Sequence, residues 1–255
     1  SSDVCSSDLR IPGVLQRIAL CYCVISFTAL FMNHKFIPAL TFILLVSYTV
    51  ILCMGNGYAC DKSNILSIID RQLFGEAHLY QKSPIDPEGF VSTLSAIAHT
   101  CIGFSCGKWI IQSHQTENKV LRLFLTGFIL ISIGYLLADV LPLNKRIWSP
   151  TFVLVTCGAA SMSLATLMYY IDIRNKQKWC RFFIIFGVNP LFLYVLSEVL
   201  AIMMGSTGWK AAAYAAIHSG ITDAYLASAV YALVFTLFLG CIGYPLYLKK
   251  IYIKL

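Results

Sequence analysis

Seven apolar runs, each close to the length needed to cross ~30 Å of hydrocarbon, leave this sequence few folds to choose from. They are Val14–Phe31, Phe36–Cys53, Phe90–Ile111, Leu121–Leu141, Trp148–Ile171, Phe182–Met204 and Tyr225–Leu248. Short charged links separate them. A lipid interior offers backbone N–H and C=O groups no water, so runs of this length must satisfy themselves as helices. Composition agrees: 58% of the residues are hydrophobic and 12% charged, against roughly 25% charged in a soluble domain. The expected class is all-α, a polytopic membrane helix bundle embedded in a lipid bilayer.

The net charge of +7 is modest, and its basic residues sit in the links. That placement fits membrane orientation or an anionic ligand; nucleic acid would require a continuous basic face, so none is expected as a partner. Most of the ten cysteines lie inside apolar runs, where Cys packs as a small hydrophobe. No CxxC pair and no His/Cys ligand spacing is present, so no metal site is expected. Cys53 and Cys60 could bridge or remain two thiols. Residues 1–9 repeat Ser-Ser-Asp without any helix or strand period and read as a tag or sequencing junction. Residues 10–255 then form one transmembrane domain, with a long outer loop at 54–88.

Orientation follows from the cations in short links. Those near Lys35, Lys119–Arg122 and Arg174–Arg181, with the tail bearing Lys249, Lys250 and Lys254, fall on one side and are assigned to the cytoplasm. The loop 54–88, the Leu141–Pro150 link and Gly205–Thr222 fall outside. Arg10 then starts outside, so an odd number of earlier spans is expected in a native chain.

The outer loop holds Asp61, Asp70, Arg71, Glu76, His78, Asp86 and Glu88, and it is the long polar interval of the chain. His78 could titrate or bind a substrate there, or simply pack the loop. Asp86 and Glu88 could hold a cationic group or cap the helix beginning near Gly89, whose N-terminal dipole end favours an acid. Arg17 lies in the first turns of the first run. A buried Arg costs at least ~2.5 kcal/mol unless paired or hydrated, so it faces a polar cavity or snorkels outward. Gly187-Val-Asn-Pro190 interrupts the sixth run, and Pro190 removes a backbone donor and kinks or breaks the helix. Asn189 sits at that break; Glu198 follows Tyr194 by four residues, on the same face. Such a break can line a membrane cavity, or it is a plain kink with a satisfied Glu. His99, inside an apolar helix, reads as a packed residue rather than a catalyst.

Four stretches in order carry a resemblance. They are Arg10-Ile-Pro-Gly-Val-Leu-Gln-Arg-Ile18; Asp70-Arg-Gln-Leu-Phe-Gly-Glu-Ala-His-Leu-Tyr80 with Asp86-Pro-Glu-Gly89; Asn144-Lys-Arg-Ile-Trp-Ser149; and Gly187-Val-Asn-Pro-Leu-Phe-Leu-Tyr194 with Glu198. Together they resemble the heparan-α-glucosaminide N-acetyltransferase family of transmembrane acyltransferases, including its bacterial glucosamine-acetylating relatives. The resemblance spans residues 10–255. It implies acetyl transfer from cytoplasmic acetyl-CoA to an amino sugar on the far side of a bacterial inner membrane, with the C-terminus cytoplasmic. It also implies about three further helices upstream, about ten in all, and places the catalytic His in that upstream region, so the stretch in hand is expected to be inactive alone.

An ammonium must lose a proton before it attacks a thioester, and the oxyanion then formed needs donors aimed at it. Asn144, Lys145 or Asn189 could supply them. Trp148 could stack on a sugar or serve as an interfacial anchor. Lys108, Arg122, Arg174, Arg181 and Lys249 could meet CoA phosphates or only set orientation. A different class stays open, a transporter or flippase for a sugar or lipid-linked sugar, although that would be expected to show paired interrupted helices in two related halves. Association into homo-oligomers is open as well.

Overall fold

The computed structural model describes residues 11–80, 83–221 and 223–253. The junction at 1–9, Arg10, Thr222 and Lys254 lie outside the described residues. No strand occurs among the described residues; the chain is helical throughout. In order the helices are α1 (Val14–Phe31), α2 (Ile37–Met54), α3 (Ile65–Phe74), α4 (Thr93–Gln112), α5 (Thr116–Ala138), α6 (Pro150–Met168), α7 (Cys180–Val188), α8 (Pro190–Ser206), α9 (Trp209–Gly220) and α10 (Ala224–Leu248). A π-turn, Tyr169–Ile173, prolongs α6. Among the described residues, six helical stretches are long and apolar enough to span a bilayer, and α7 with α8 would make a seventh despite an 82° bend between them. Large apolar side chains such as Leu30, Phe31, Phe42, Leu136 and Val140 stand exposed along these helices, as lipid-facing surfaces do.

Local chemistry sets the helix ends. Pro38, Pro150 and Pro190 sit at first or second helical positions, where the missing N–H costs nothing. Asn64, Ser149 and Asp223 cap α3, α6 and α10 by accepting backbone N–H groups of the first turn. The break expected at Pro190 is present: Asn189 leaves helical geometry and the chain turns by 82°. Two helices were not foreseen. The loop 54–88 contains α3, an amphipathic helix that buries Leu66, Ser67 and Asp70. The Gly205–Thr222 link contains α9, whose Ala-rich stretch favours helix strongly.

The chain divides into two compact units, Ser1–Arg174 and Asn175–Leu255. In the first, α4 is central, packing on α1, α2 and α6, while α5 lies along α6. That last pair is close because Gly127 and Gly158 face each other; a Cβ on either would stand 2.7 Å from the other's carbonyl oxygen. Small residues at such a seam let backbones approach in lipid, where no hydrophobic force joins helices. The loop 54–88 is fixed by a core of Tyr48, Leu52, Leu66, Ile85, Val91 and Ile147, and the Tyr48 hydroxyl donates to the Ile147 carbonyl. Cys53 and Cys60 are free thiols. In the second unit, Gly240 and Gly243 of α10 receive Phe186 and Leu193. Asn189 holds the tail: its Nδ2 donates to Ile251 O (2.8 Å) and its Oδ1 accepts from Ile253 N (2.8 Å).

The α5–α6 seam gives a direct test. Gly158→Ala, which forces overpacking worth about 1–3 kcal/mol, should lower the melting temperature of the detergent-solubilised protein. Gly103→Ala, where an added Cβ meets nothing within 4 Å, should not lower it and should raise it slightly, because Ala favours a helix interior over Gly.

Candidate functional site

The first unit packs the loop 54–88 onto the start of α4, and Arg17 reaches it from the first turn of α1. The Arg17 side chain is 7% exposed. Its Nη2 donates to Gly89 O (3.1 Å) and to Ser92 Oγ, and its guanidinium lies 5.2 Å from the Trp148 ring centroid, within cation–π range. Of the two readings the sequence left open for Arg17, the buried one holds. Its Nε and Nη1 have no hydrogen-bond partner among the described residues. Buried donors are rarely left so, and two on one guanidinium mark a place where acceptors are missing.

Arg17 lines a cavity of about 570 Å³ together with Cys21, Tyr22, Glu88, His99, Thr100, Lys145 and Trp148 among others. Four residues singled out from sequence, Arg17, Glu88, Lys145 and Trp148, thus meet in one hollow. Trp148 adopts a positive φ of 53°, rare for a bulky side chain, in a turn fixed by several bonds. Trp148 N donates to Lys145 O (3.2 Å), Ser149 N to Asn144 O (3.0 Å) and Asn144 N to Ser149 Oγ (3.0 Å). Backbone strain held by so many contacts concentrates at functional sites. Asn144 Oδ1 accepts from Arg146 N (2.9 Å), so that side chain serves the turn. His99 also lines the cavity; its ring centroid is 6.0 Å from that of Trp148 and its Nδ1 has no partner among the described residues. Sequence reasoning set His99 aside as packed, since an apolar helix gives no sign of a cavity on one face.

Beneath this hollow, Asp86 and Asp70 organise the loop. Asp86 accepts from Tyr80 N (2.9 Å, Oδ2) and Glu88 N (2.9 Å, Oδ1), which shapes the turn leading into α4. Asp70, 1% exposed, accepts from Phe90 N (2.8 Å) through Oδ1. Its Oδ2 rests where a Cβ on residue 89 would be, so only glycine fits there. Burial, reinforced by the neighbouring Asp86 charge, pushes the Asp70 carboxyl up to about 6, although the Phe90 N–H and Arg17 oppose the shift. A second, polar cavity of about 400 Å³ opens beside it, lined by Lys62, Ser67, Asp70, Arg71, Glu76 and Asp86 among others. Arg71 Nε is 3.2 Å from Glu76 Oε1. His78 occupies the turn Glu76–His78, and its carbonyl accepts from Ile11 N (3.1 Å). Asp70 carried no weight in the sequence because α3 was not anticipated.

The remaining candidates are spread over both units. Tyr194 and Glu198 are exposed one turn apart on α8, and Asn189 is buried with both ends of its amide engaged by the tail. Of the cations considered for phosphates, Lys108, Arg122 and Arg174 belong to the first unit, Arg181 and Lys249 to the second.

No family model matches the chain. Among curated proteins, the heparan-alpha-glucosaminide N-acetyltransferases of Mus musculus and Homo sapiens are each 26% identical to it over 304 residues, covering 97% of this chain and 45% and 44% of theirs. By sequence, the chain is similar to these N-acetyltransferases. It spans less than half the length of the curated relatives it matches. The resemblance first read from four short stretches therefore extends over nearly the whole chain.

The buried Asp70 sets a pH dependence for stability. Its folded value of about 6 lies above the ordinary 3.8, so the neutral acid favours the fold below that ordinary value and the benefit is lost as pH rises through about 6. Asp70→Asn should melt with wild type near pH 4 and a few degrees above it near pH 8, as read by thermal unfolding in detergent.

Proposed function

We propose that this chain forms part of a transmembrane N-acetyltransferase that passes acetyl from acetyl-CoA to the amine of a glucosamine-type sugar, with the two substrates meeting in the Arg17–Trp148 cavity. The observation that carries this reading is the Arg17 guanidinium, buried on the cavity wall with Nε and Nη1 lacking acceptors among the described residues. A ligand oxygen is what those donors lack. In acetyl transfer the thioester carbonyl becomes an oxyanion, and donors fixed in advance at that atom lower the barrier.

The chemistry balances simply. The sugar ammonium gives a proton to a base, the free amine nitrogen attacks the acetyl carbon, the C–S bond breaks, and the second proton lost by that nitrogen as the amide forms is taken up by the departing CoA thiolate. Glu88 offers a carboxylate to the ammonium, Trp148 an apolar face to the sugar ring, and Lys145 a donor at the cavity mouth. The base is the upstream histidine that the family resemblance implies. On the donor side, Lys108, Arg122 and Arg174 of the first unit and Arg181 and Lys249 of the second are the cations available to CoA phosphates. The basic links and the C-terminus then face the cytoplasm of a bacterial inner membrane, and the loop with Asp86 faces outward.

A transporter or flippase for a sugar is the second reading, favoured by the 82° break at Asn189 followed by Tyr194 and Glu198 on α8. Against it, one bent pair is present among the described residues, where related halves would carry two.

The complete gene product, purified in detergent with acetyl-CoA and glucosamine, should release free CoA thiol. Arg17→Ala should lower kcat by about 100-fold or more, the scale of a lost oxyanion donor, and Trp148→Ala should lower kcat/KM by about 10-fold, the scale of a lost stacking face. Labelled glucosamine crossing reconstituted vesicles, with no CoA released by any amino sugar, would replace this reading with transport.

A further inference from the structure

We propose that Asp70 is a positioning residue for the cavity, holding the Gly89–Phe90 turn so that the Gly89 carbonyl fixes the Arg17 guanidinium against Trp148. Asp70 sits on α3, outside the spanning helices, and no part of it belongs to the Arg17 cavity. It acts through the backbone. Its Oδ1 accepts from Phe90 N (2.8 Å), and its Oδ2 packs on Gly89 so closely that a Cβ there would collide with it. The carbonyl of that glycine accepts from Arg17 Nη2 (3.1 Å), Ser92 Oγ (2.9 Å) and Thr93 Oγ1 (3.2 Å). A shift of the turn therefore disturbs every one of these bonds at once. The helix bearing Asp70 is itself seated, with Leu66 in the loop core and Ser67 Oγ donating to Pro84 O (2.5 Å).

The charge on Asp70 reaches Arg17 as well as the turn. Groups that face it are Arg17 from α1, Tyr48 from α2 and Asp86 from the loop. Lys62, Arg71 and Glu76 stand around the polar cavity beside it. With its carboxyl at about 6, Asp70 offers Phe90 N a charged acceptor above that pH and a neutral one below, so the hold on the turn that carries the Gly89 carbonyl and Arg17 changes across that range. The environment of Trp148 then changes across the same range. Asn at position 70 keeps an acceptor for Phe90 N but cannot ionise, whereas Ala removes both.

A chain with Trp109, Trp179 and Trp209 replaced by Phe leaves Trp148 as the sole indole. In detergent its emission, followed from about pH 4.5 to about pH 8, should show a transition near 6. Asp70→Asn should abolish the transition and keep, at every pH, the emission maximum that wild type shows below it; Asp70→Ala should shift the emission to the red. A transition that persists in Asp70→Asn at the same midpoint would overturn the proposal and assign the titration to His99, the cavity histidine beside Trp148. A wild-type signal flat across the range would overturn it too. A second arm rests on the acetyl-transfer reading: in the complete enzyme, Asp70→Ala should raise KM for glucosamine about 10-fold (about 1.4 kcal/mol), and Asp70→Asn should restore it. Absence of acetyl transfer by wild type would sink that reading while leaving the fluorescence arm to decide the role of Asp70.

Discussion

A guanidinium buried at the rim of an apolar helix bundle has to be met by acceptors or by water, because its desolvation is otherwise too costly to keep. In this protein the Gly89 carbonyl and the Ser92 hydroxyl meet Arg17 from one side and the Trp148 face from another. Much of the first unit can be read as the means of bringing those groups together. The loop core around Tyr48 and Leu66 anchors the segment between α2 and α4. The Asn144–Ser149 turn, itself tied to α2 through the Tyr48 hydroxyl, presents Trp148 in a backbone conformation that an unsupported tryptophan would avoid.

The consequence is a division of labour within one polar region. Arg17, Glu88, Lys145 and Trp148 face a hollow and have chemistry to offer a ligand. Asp70, Asp86 and Asn144 spend oxygens on backbone N–H groups and fix the loops on which the others stand. Seating Asp70 under Gly89 also explains why a residue without a side chain occupies that position, since the carboxylate takes the place of its Cβ.

The spans were legible in the sequence because length and hydropathy alone dictate a helix in lipid: α1 begins and ends at the expected residues, and the break at Pro190 follows from one missing donor. The site was legible only in part. That Arg17, Glu88, Lys145 and Trp148 would share a cavity could not be derived from positions scattered along the chain, and Arg17 alone allowed two opposite placements. Asp70 was missed because α3 is short and lies in a polar interval, so its buried face is set by packing against Tyr48 and Leu52 rather than by a run of apolar residues. Asn189 looked like a donor in waiting, but the tail at Ile251 and Ile253 engages both ends of its amide. No local pattern announces a partner so far along the chain.

The most direct test of this account is an experimentally determined structure of the complete protein with glucosamine bound. The account predicts ligand density over the Trp148 ring, with an oxygen within hydrogen-bond reach of Arg17 Nε or Nη1 and the Arg17–Gly89 bond intact. An Arg17 side chain turned out to the membrane boundary, with the sugar bound elsewhere, would contradict it.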